Sequence, residues 1–229
     1  MYKVKTLRAT IFCAPIRFSR KFLDGLAGVL DNYMPMIVKD GGVLPSFPVW
    51  QLTSPDEKEV LVFTGEKIDY VKVVEGEVDN EGLETFIKRG KEVLGKVMAL
   101  TGDACTRVAF APSVIVAENG RIPAELVRRL YGICEFEGAE LDSSNLSQVY
   151  RINKPLEGKN VKVNCFANFH IENDLMAVGG INQIRVRYIC DFDINTMVNP
   201  DNKFTVSGMN EFYNMVSKCF EKFYKLYFG

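Results

Sequence analysis

The chain is poor in residues that carry much of enzymatic and metal chemistry. It has one histidine, His170, and one tryptophan, Trp50, in 229 residues. A lone histidine cannot supply the paired imidazoles of a zinc site. It also leaves one residue to serve as the base of a Ser-His or Cys-His nucleophile. The six cysteines, at positions 13, 105, 134, 165, 190 and 219, form no C-x-x-C pair, which argues against a zinc knuckle or thioredoxin-type motif. With Cys165 and Cys190 on apolar strand faces, they read as small buried hydrophobes in a reducing cytosol. Neither G-x-x-x-x-G-K-[ST] nor G-x-G-x-x-G occurs, so both standard phosphate loops are missing.

A charge surplus is missing too. Lysine plus arginine number 28 and aspartate plus glutamate 29. That balance gives no global field to draw in nucleic acid or an anionic membrane. The runs "IKRGK" and "LVRR" supply only local positive charge on solvated helix faces, with no aromatic platform beside them. No apolar run approaches the roughly 18 to 20 residues of a membrane span. The N-terminal "MYKVKTLRATIFCAP" has neither the apolar core nor the cleavage site of a signal peptide, so a cytoplasmic protein is expected. Hydrophobic residues reach 47%, which excludes a disordered chain.

What is present is regular patterning. A strand is expected over 5–13, then a helix from Ser19 with Phe22, Leu23, Leu26, Val29 and Leu30 on one face. A Gly/Pro loop follows at 39–48, then strands at "VWQLT", "EVLVF" and "KIDYVKVV", the first two joined by a hairpin turn at "SPDEK". Asp79 or Asn80 caps a second helix, which Gly90 and Gly95 weaken. The order then restarts. A strand is expected at 105–117, a short helix at 123–133, strands near 146–153, 160–171 and 181–194, and a last helix capped by Ser207. The carboxylates Glu135, Glu137, Glu140 and Asp142 read as an acidic loop.

Local sequence supports the restart. "VWQLTSPDE" at 49–57 lies opposite "VYRINKPLE" at 149–157, offset by 100 residues, with Trp50 answered by Tyr150. "ATIFCAP" likewise echoes "RVAFAP". The expectation is an α+β protein of two similar, tightly associated halves, 1–102 and 103–229, related by a pseudo-twofold axis. Each half would be an antiparallel sheet with two helices on one face. The seam between them is the default place for a ligand or partner.

The stretch "RVRYICDFDIN" at 185–195 carries the sharpest functional question, because Asp191 and Asp193 stand two apart in an apolar run. Strand alternation puts both on one face with Arg185 and Arg187. Residues 161–171 show the same design, with Lys162, Phe166, Asn168 and His170 on the polar side. A hairpin in which facing residue numbers sum to 353 would set Lys162 against Asp191 and Phe166 against Arg187. A D-x-D pair can chelate a divalent ion, but cationic neighbours repel one, so no metal is expected. No catalytic residue and no cofactor is assigned. The candidate ligand- or partner-binding residues are Trp50, Tyr150, Lys162, Phe166, His170, Arg185, Arg187, Asp191 and Asp193.

"FPVWQLTSPDEKEVLVFTGEKIDYVKV", followed by "GLETFIKRGKEVLGKVM", resembles a sporadically distributed, uncharacterised bacterial family of similar length. Its members share a Trp-containing strand, a charged turn, an apolar strand, a Tyr-bearing strand and a helix with a central Phe. Trp50, Tyr70 and Phe86 take those places here. "TRVAFAPSVIV", "RYICDFDIN" and "MNEFYNMVSKCFEKF" answer its later elements, with Ala111 and Pro112 interrupting the first. The resemblance implies a two-part α+β fold and transfers no activity. The favoured expectation is a non-enzymatic cytoplasmic binding or adaptor protein, chaperone-like by fold-level analogy to SecB-type chaperones, with another protein as partner. It would use an open sheet face or the seam. One alternative is an enzyme or small-ligand binder at the seam. Another is a nucleic-acid-associated component of a bacterial defence or mobile-element system, which the bulk charge disfavours. An exposed sheet edge would also allow a homodimer.

Overall fold

The structure, a computed structural model, describes residues 1–13, 19–30, 33–38, 49–102, 105–118, 128, 145–178, 181–199 and 201–228. Its described elements are β1 (Tyr2–Phe12), α1 (Arg20–Val29), β2 (Met34–Val38), β3 (Val49–Thr53), β4 (Glu59–Thr64), β5 (Lys67–Val78), α2 (Asn80–Thr101), β6 (Arg107–Phe110), β7 (Ser113–Glu118), β8 (Asn145–Leu156), β9 (Lys159–Val178), β10 (Ile181–Thr196) and α3 (Val206–Phe228). All the described strands join one antiparallel sheet, in the order β2-β3-β4-β5-β1-β6-β10-β9-β8, with β7 pairing both β1 and β10. The fold is therefore mixed α+β around one large sheet. The expected Gly/Pro loop at 39–48 and acidic loop at 135–142 fall outside the described residues, as does the helix expected at 123–133 apart from Arg128, which is helical.

A single row of cross-strand partners spans the sheet: Pro35, Leu52, Leu61, Tyr70, Ala9, Phe110, Ile194, Cys165 and Tyr150. Directly opposed residues share a face, so this row defines one side of all nine strands. The described helices pack on that side. Phe22 of α1 meets Phe63 edge-on, Phe86 of α2 stacks on Tyr70, and Phe220 of α3 meets Phe110 and Phe192. Each fully buried side chain among them contributes about 1.5–3 kcal/mol, and half-buried Phe22 less. Tyr213 of α3 is fully buried, and its one hydroxyl proton is shared between the carbonyl oxygens of Thr10 on β1 and Ala109 on β6, at 3.1 and 3.0 Å. It pegs the seam where β1 meets β6 and β7.

Local chemistry sets the ends of the helices. Ser19 caps α1 by accepting from the Phe22 amide, and Asp79 caps α2 by accepting from Gly82. Gly102, at φ 67°, closes α2 in the left-handed region. The start of α3 corrects the expected Ser207 cap. Thr205 takes that role, accepting from the Ser207 amide, and Glu157 reaches over from the β8–β9 turn to accept from the Thr205 and Gly208 amides. A carboxylate there also complements the helix dipole.

Four more expectations are revised. β2 was not foreseen. Its Pro35 cannot donate to a ladder, which suits its place at the sheet edge. The strand expected at 105–117 is two strands, because Pro112 breaks the run after Ala111. Val29 is 37% exposed rather than inward. The β9–β10 register sums to 359, not 353, so Val178 pairs with Ile181, and the sequence between them is Gly-Gly. That dipeptide is a two-residue hairpin signal. Reading the turn nearer 176 displaced every pair.

The two glycines of α2 differ. A Cβ at Gly90 would stand 3.3 Å from the Ala9 Cβ and 3.4 Å from the Tyr70 ring, so its absence lets the helix lie close on the sheet. At Gly95 the nearest atoms are 3.6 and 3.8 Å away, ordinary contacts. Gly90→Val should destabilise the protein by about 1–3 kcal/mol through overpacking. Gly95→Ala should be neutral or stabilise by up to about 1 kcal/mol. Urea denaturation of the two variants checks the contrast, and equal effects would contradict it.

Candidate functional site

The face that α1, α2 and α3 leave open carries most of the polar residues singled out above. Rows run across it as they do on the covered face. One row is Asp69, Thr10, Ala109, Asn195, Asn164 and Arg151. Beside it Asp193 faces Phe166, which faces Val149, and farther along Asp191 pairs with Asn168 and Ser113. Then His170 pairs with Ile189, Glu172 with Arg187, and Asp174 with Arg185. Lys162, beyond the first row, faces Asn153 and not Asp191. Thus the structure brings Phe166, His170, Arg185, Arg187, Asp191 and Asp193 onto one surface, with Lys162 at its end. Trp50 and Tyr150 lie on the other side. Trp50 faces Phe63 and is half-buried against the core, and the half-exposed Tyr150 ring meets Phe223 edge-on at 5.6 Å.

One end of this face is a self-neutralised ionic clamp across the seam. Lys3 of β1 pairs with Glu118 of β7 at 2.6 Å, and Lys5 pairs with Glu172 of β9 at 2.6 Å, past the intervening strands. Arg187, with its side chain only 3% exposed, reaches from β10 to Glu75 of β5 at 2.8 Å and also pairs with Asp174 and Glu172. Arg185 bridges Asp174 and Glu118. Two irregularities aim these groups. β5 bulges opposite Lys5, with Glu75 at φ 49°, and the β7–β10 register shifts at Tyr188/Ile189.

The clamp shifts its carboxylates. Burial works to raise Glu172 and Asp174. The Lys5 and His170 hydrogen bonds and the Arg187 charge carry Glu172 below its ordinary value, and Arg185 and Arg187 do the same for Asp174. The Lys3 hydrogen bond lowers Glu118.

His170 sits between two acids, Nε2 3.5 Å from Glu172 Oε1 and Nδ1 3.5 Å from Asp191 Oδ2. Ser113 donates to Asp191 Oδ1 at 2.5 Å. The carboxylate thus lies between hydroxyl and imidazole. A serine nucleophile needs the imidazole on the hydroxyl itself. The buried thiols of Cys105 and Cys165 are pushed up to about 12 by burial, far from thiolate chemistry at neutral pH. Among the described residues, no three His, Cys, Asp or Glu gather in a group that could hold a metal ion.

The other end of the face is built differently. Lys67 pairs with Asp69 at 2.8 Å, and Asp69 accepts from Thr10 Oγ1 at 2.5 Å. The Arg107 guanidinium lies over the Phe12 ring at 4.6 Å and is 3.9 Å from Asp193. The Asp193 side chain is 41% exposed, but its Oδ1 is buried without a hydrogen bond. Burial of that oxygen pushes the carboxyl above its ordinary value, against the pull of Asn195 and Arg107. Among the described residues Arg8, Arg151 and Lys162 form no ion pair, and Arg151 instead donates to Asn164 at 3.3 Å.

Sequence reading missed Lys3, Lys5, Arg8, Glu75, Arg107, Ser113, Glu118, Glu172 and Asp174. Two were within reach, because the polar alternation of β9 runs on through Glu172 and Asp174 past the expected end at 171. The others arrive from β1, β5, β6 and β7, whose placement beside β10 has no local signal.

No protein-family model matches the chain, and no curated protein matches it either. Among the described residues no helix is long and apolar enough to cross a membrane.

Removing Arg187 leaves Glu172 and Asp174 facing each other without their shared cation. Arg187→Met should cost about 2–4 kcal/mol near pH 7. The sign with pH follows from the lowered carboxylates. Their stabilisation is complete above the ordinary carboxylate value of about 4.5 and is lost as pH falls through the lower folded values. Urea titrations near pH 7 and near pH 3 should therefore show a smaller Arg187→Met penalty in acid. An equal penalty at both would mean that the clamp carboxylates are not linked to folding.

Proposed function

We propose that this is a non-enzymatic binding or adaptor protein, chaperone-like in design, that recognises another protein around the seam, on the sheet face that α1, α2 and α3 leave open. One observation carries the reading: the described helices cover one side of a ten-stranded sheet, while the other side presents polar and half-exposed apolar side chains. Broad open sheet faces suit protein partners better than small molecules, which favour concave, mostly apolar sites. The arrangement of Ser113, Asp191 and His170 also favours binding over acyl transfer. A cytoplasmic location and membership of the bacterial family that the sequence resembles belong to the same proposal.

An ancestral duplication accounts for the architecture. β3, β4, β5 and α2 follow one another as β8, β9, β10 and α3 do. β3 and β8 are each fourth from the seam, counting β6 and β7 as one position. Glu57 and Glu157 share a positive φ, 57° and 49°, at the 100-residue offset noted in the sequence.

Affinity capture from the native host, followed by reconstitution with the purified partner, tests the reading. Ser147→Trp, on the exposed end of the open face, should weaken the reconstituted complex at least tenfold by steric block. Lys218→Trp, on the exposed side of α3, should not. Absence of a reproducible partner, or turnover of a metabolite in a broad substrate screen, would overturn it.

A further inference from the structure

The two ends of the open face differ in charge. At the clamp end, Lys3, Lys5, Arg185 and Arg187 are each tied to a carboxylate. That end offers a ligand little unspent charge. At the other end five cations, Arg8, Lys67, Arg107, Arg151 and Lys162, share the face with two carboxylates, Asp69 and Asp193. Lys67 is committed to Asp69, and Arg107 stands near Asp193. The remaining three form no close ion pair among the described residues, although the charge of Arg8 acts on Asp193 from a distance. They surround apolar surface: half-buried Phe166, and Val149 at 43% exposure.

We propose that this end docks an extended acidic segment of the partner protein, with its carboxylates on Arg8, Arg151 and Lys162 and an apolar side chain on Phe166 and Val149. The inference rests on the protein-binding reading above. Charge complementarity and dimensions carry it. From β5 to β8 the sheet spans five strand spacings, roughly 24 Å at ~4.8 Å each, the reach of about seven extended residues. Single-stranded nucleic acid fits the chemistry less well. Base stacking needs a run of free aromatic faces, yet the Phe12 ring is occupied by Arg107, Val149 is aliphatic, and among the described residues of this end half-buried Phe166 is the one aromatic left.

The test is fluorescence anisotropy with a labelled peptide of about eight residues, alternating Glu with Leu and Phe. A Lys-for-Glu peptide and an oligothymidylate of equal length serve as competing probes. The acidic peptide should bind in preference to both and weaken as salt rises from about 50 to about 500 mM. The triple variant Arg8→Ala/Arg151→Ala/Lys162→Ala should lose roughly tenfold or more in affinity. Lys88→Ala/Lys218→Ala/Lys222→Ala, with the same charge change on exposed helix surfaces, should lose less than about twofold. Equal losses in the two triples, tighter oligothymidylate binding, or no acidic-peptide binding would overturn the inference. If a purified partner still binds the open-face triple normally and is blocked by Ser147→Trp, this inference fails and the protein-binding reading stands. If no partner depends on the open face, both fail.

Discussion

The structure depends on the antiparallel pairing of β1 with β6 and β7. Ala9 against Phe110 and Thr10 against Ala109 turn what would otherwise be two sheet edges into the middle of one sheet. Exposed edges invite unwanted pairing, and this junction buries both. The phenol of Tyr213 ties the two strands from the helix side. Lys5–Glu172 and Arg187–Glu75 tie their neighbourhoods together from the opposite side. Apolar burial supplies most of the stability. A buried ion network repays its desolvation only when fully paired, so its stronger contribution is to fix how the strands on either side of the seam are set.

The pairing also determines what each face can be. Once the strands align, Tyr70, Ala9, Phe110 and Ile194 fall in one row, and α2 and α3 close over them. The alternate residues Asp69, Thr10, Ala109 and Asn195 fall in the adjacent row on the reverse side. Period-two alternation therefore makes the hydrophobic core and the candidate recognition surface together. A residue cannot change sides without a bulge, and the bulges at Glu75 and Tyr188/Ile189 sit where charged groups must converge.

Elements with a strong local signal were legible in the sequence. The β3, β4, β8, β9 and β10 segments, the Ser19 and Asp79 caps and the inward face of α2 all follow from periodicity and side-chain capping. The shared face of Arg185, Arg187, Asp191 and Asp193 followed from alternation alone. What failed depended on information far away in the chain. The β9–β10 register is the exception, since the Gly-Gly signal after Val178 is local and a turn nearer 176 was expected instead. The α3 cap needed Glu157, 48 residues from Thr205. The reason for Gly90 needed Ala9 and Tyr70 beneath it. Trp50 and Tyr150 attracted attention as a repeated pair, but side-chain parity relative to the helices places them away from the charged surface.

Native-state hydrogen exchange reads the seam directly. If β1 and β6 are interior strands of one cooperative sheet, the ladder amides at 9–12 and 107–110 should fall in the slowest-exchanging class together with those of β10, opening only in global unfolding. Exchange of 107–110 as fast as surface turns, or separate unfolding of the strands on either side, would contradict the account.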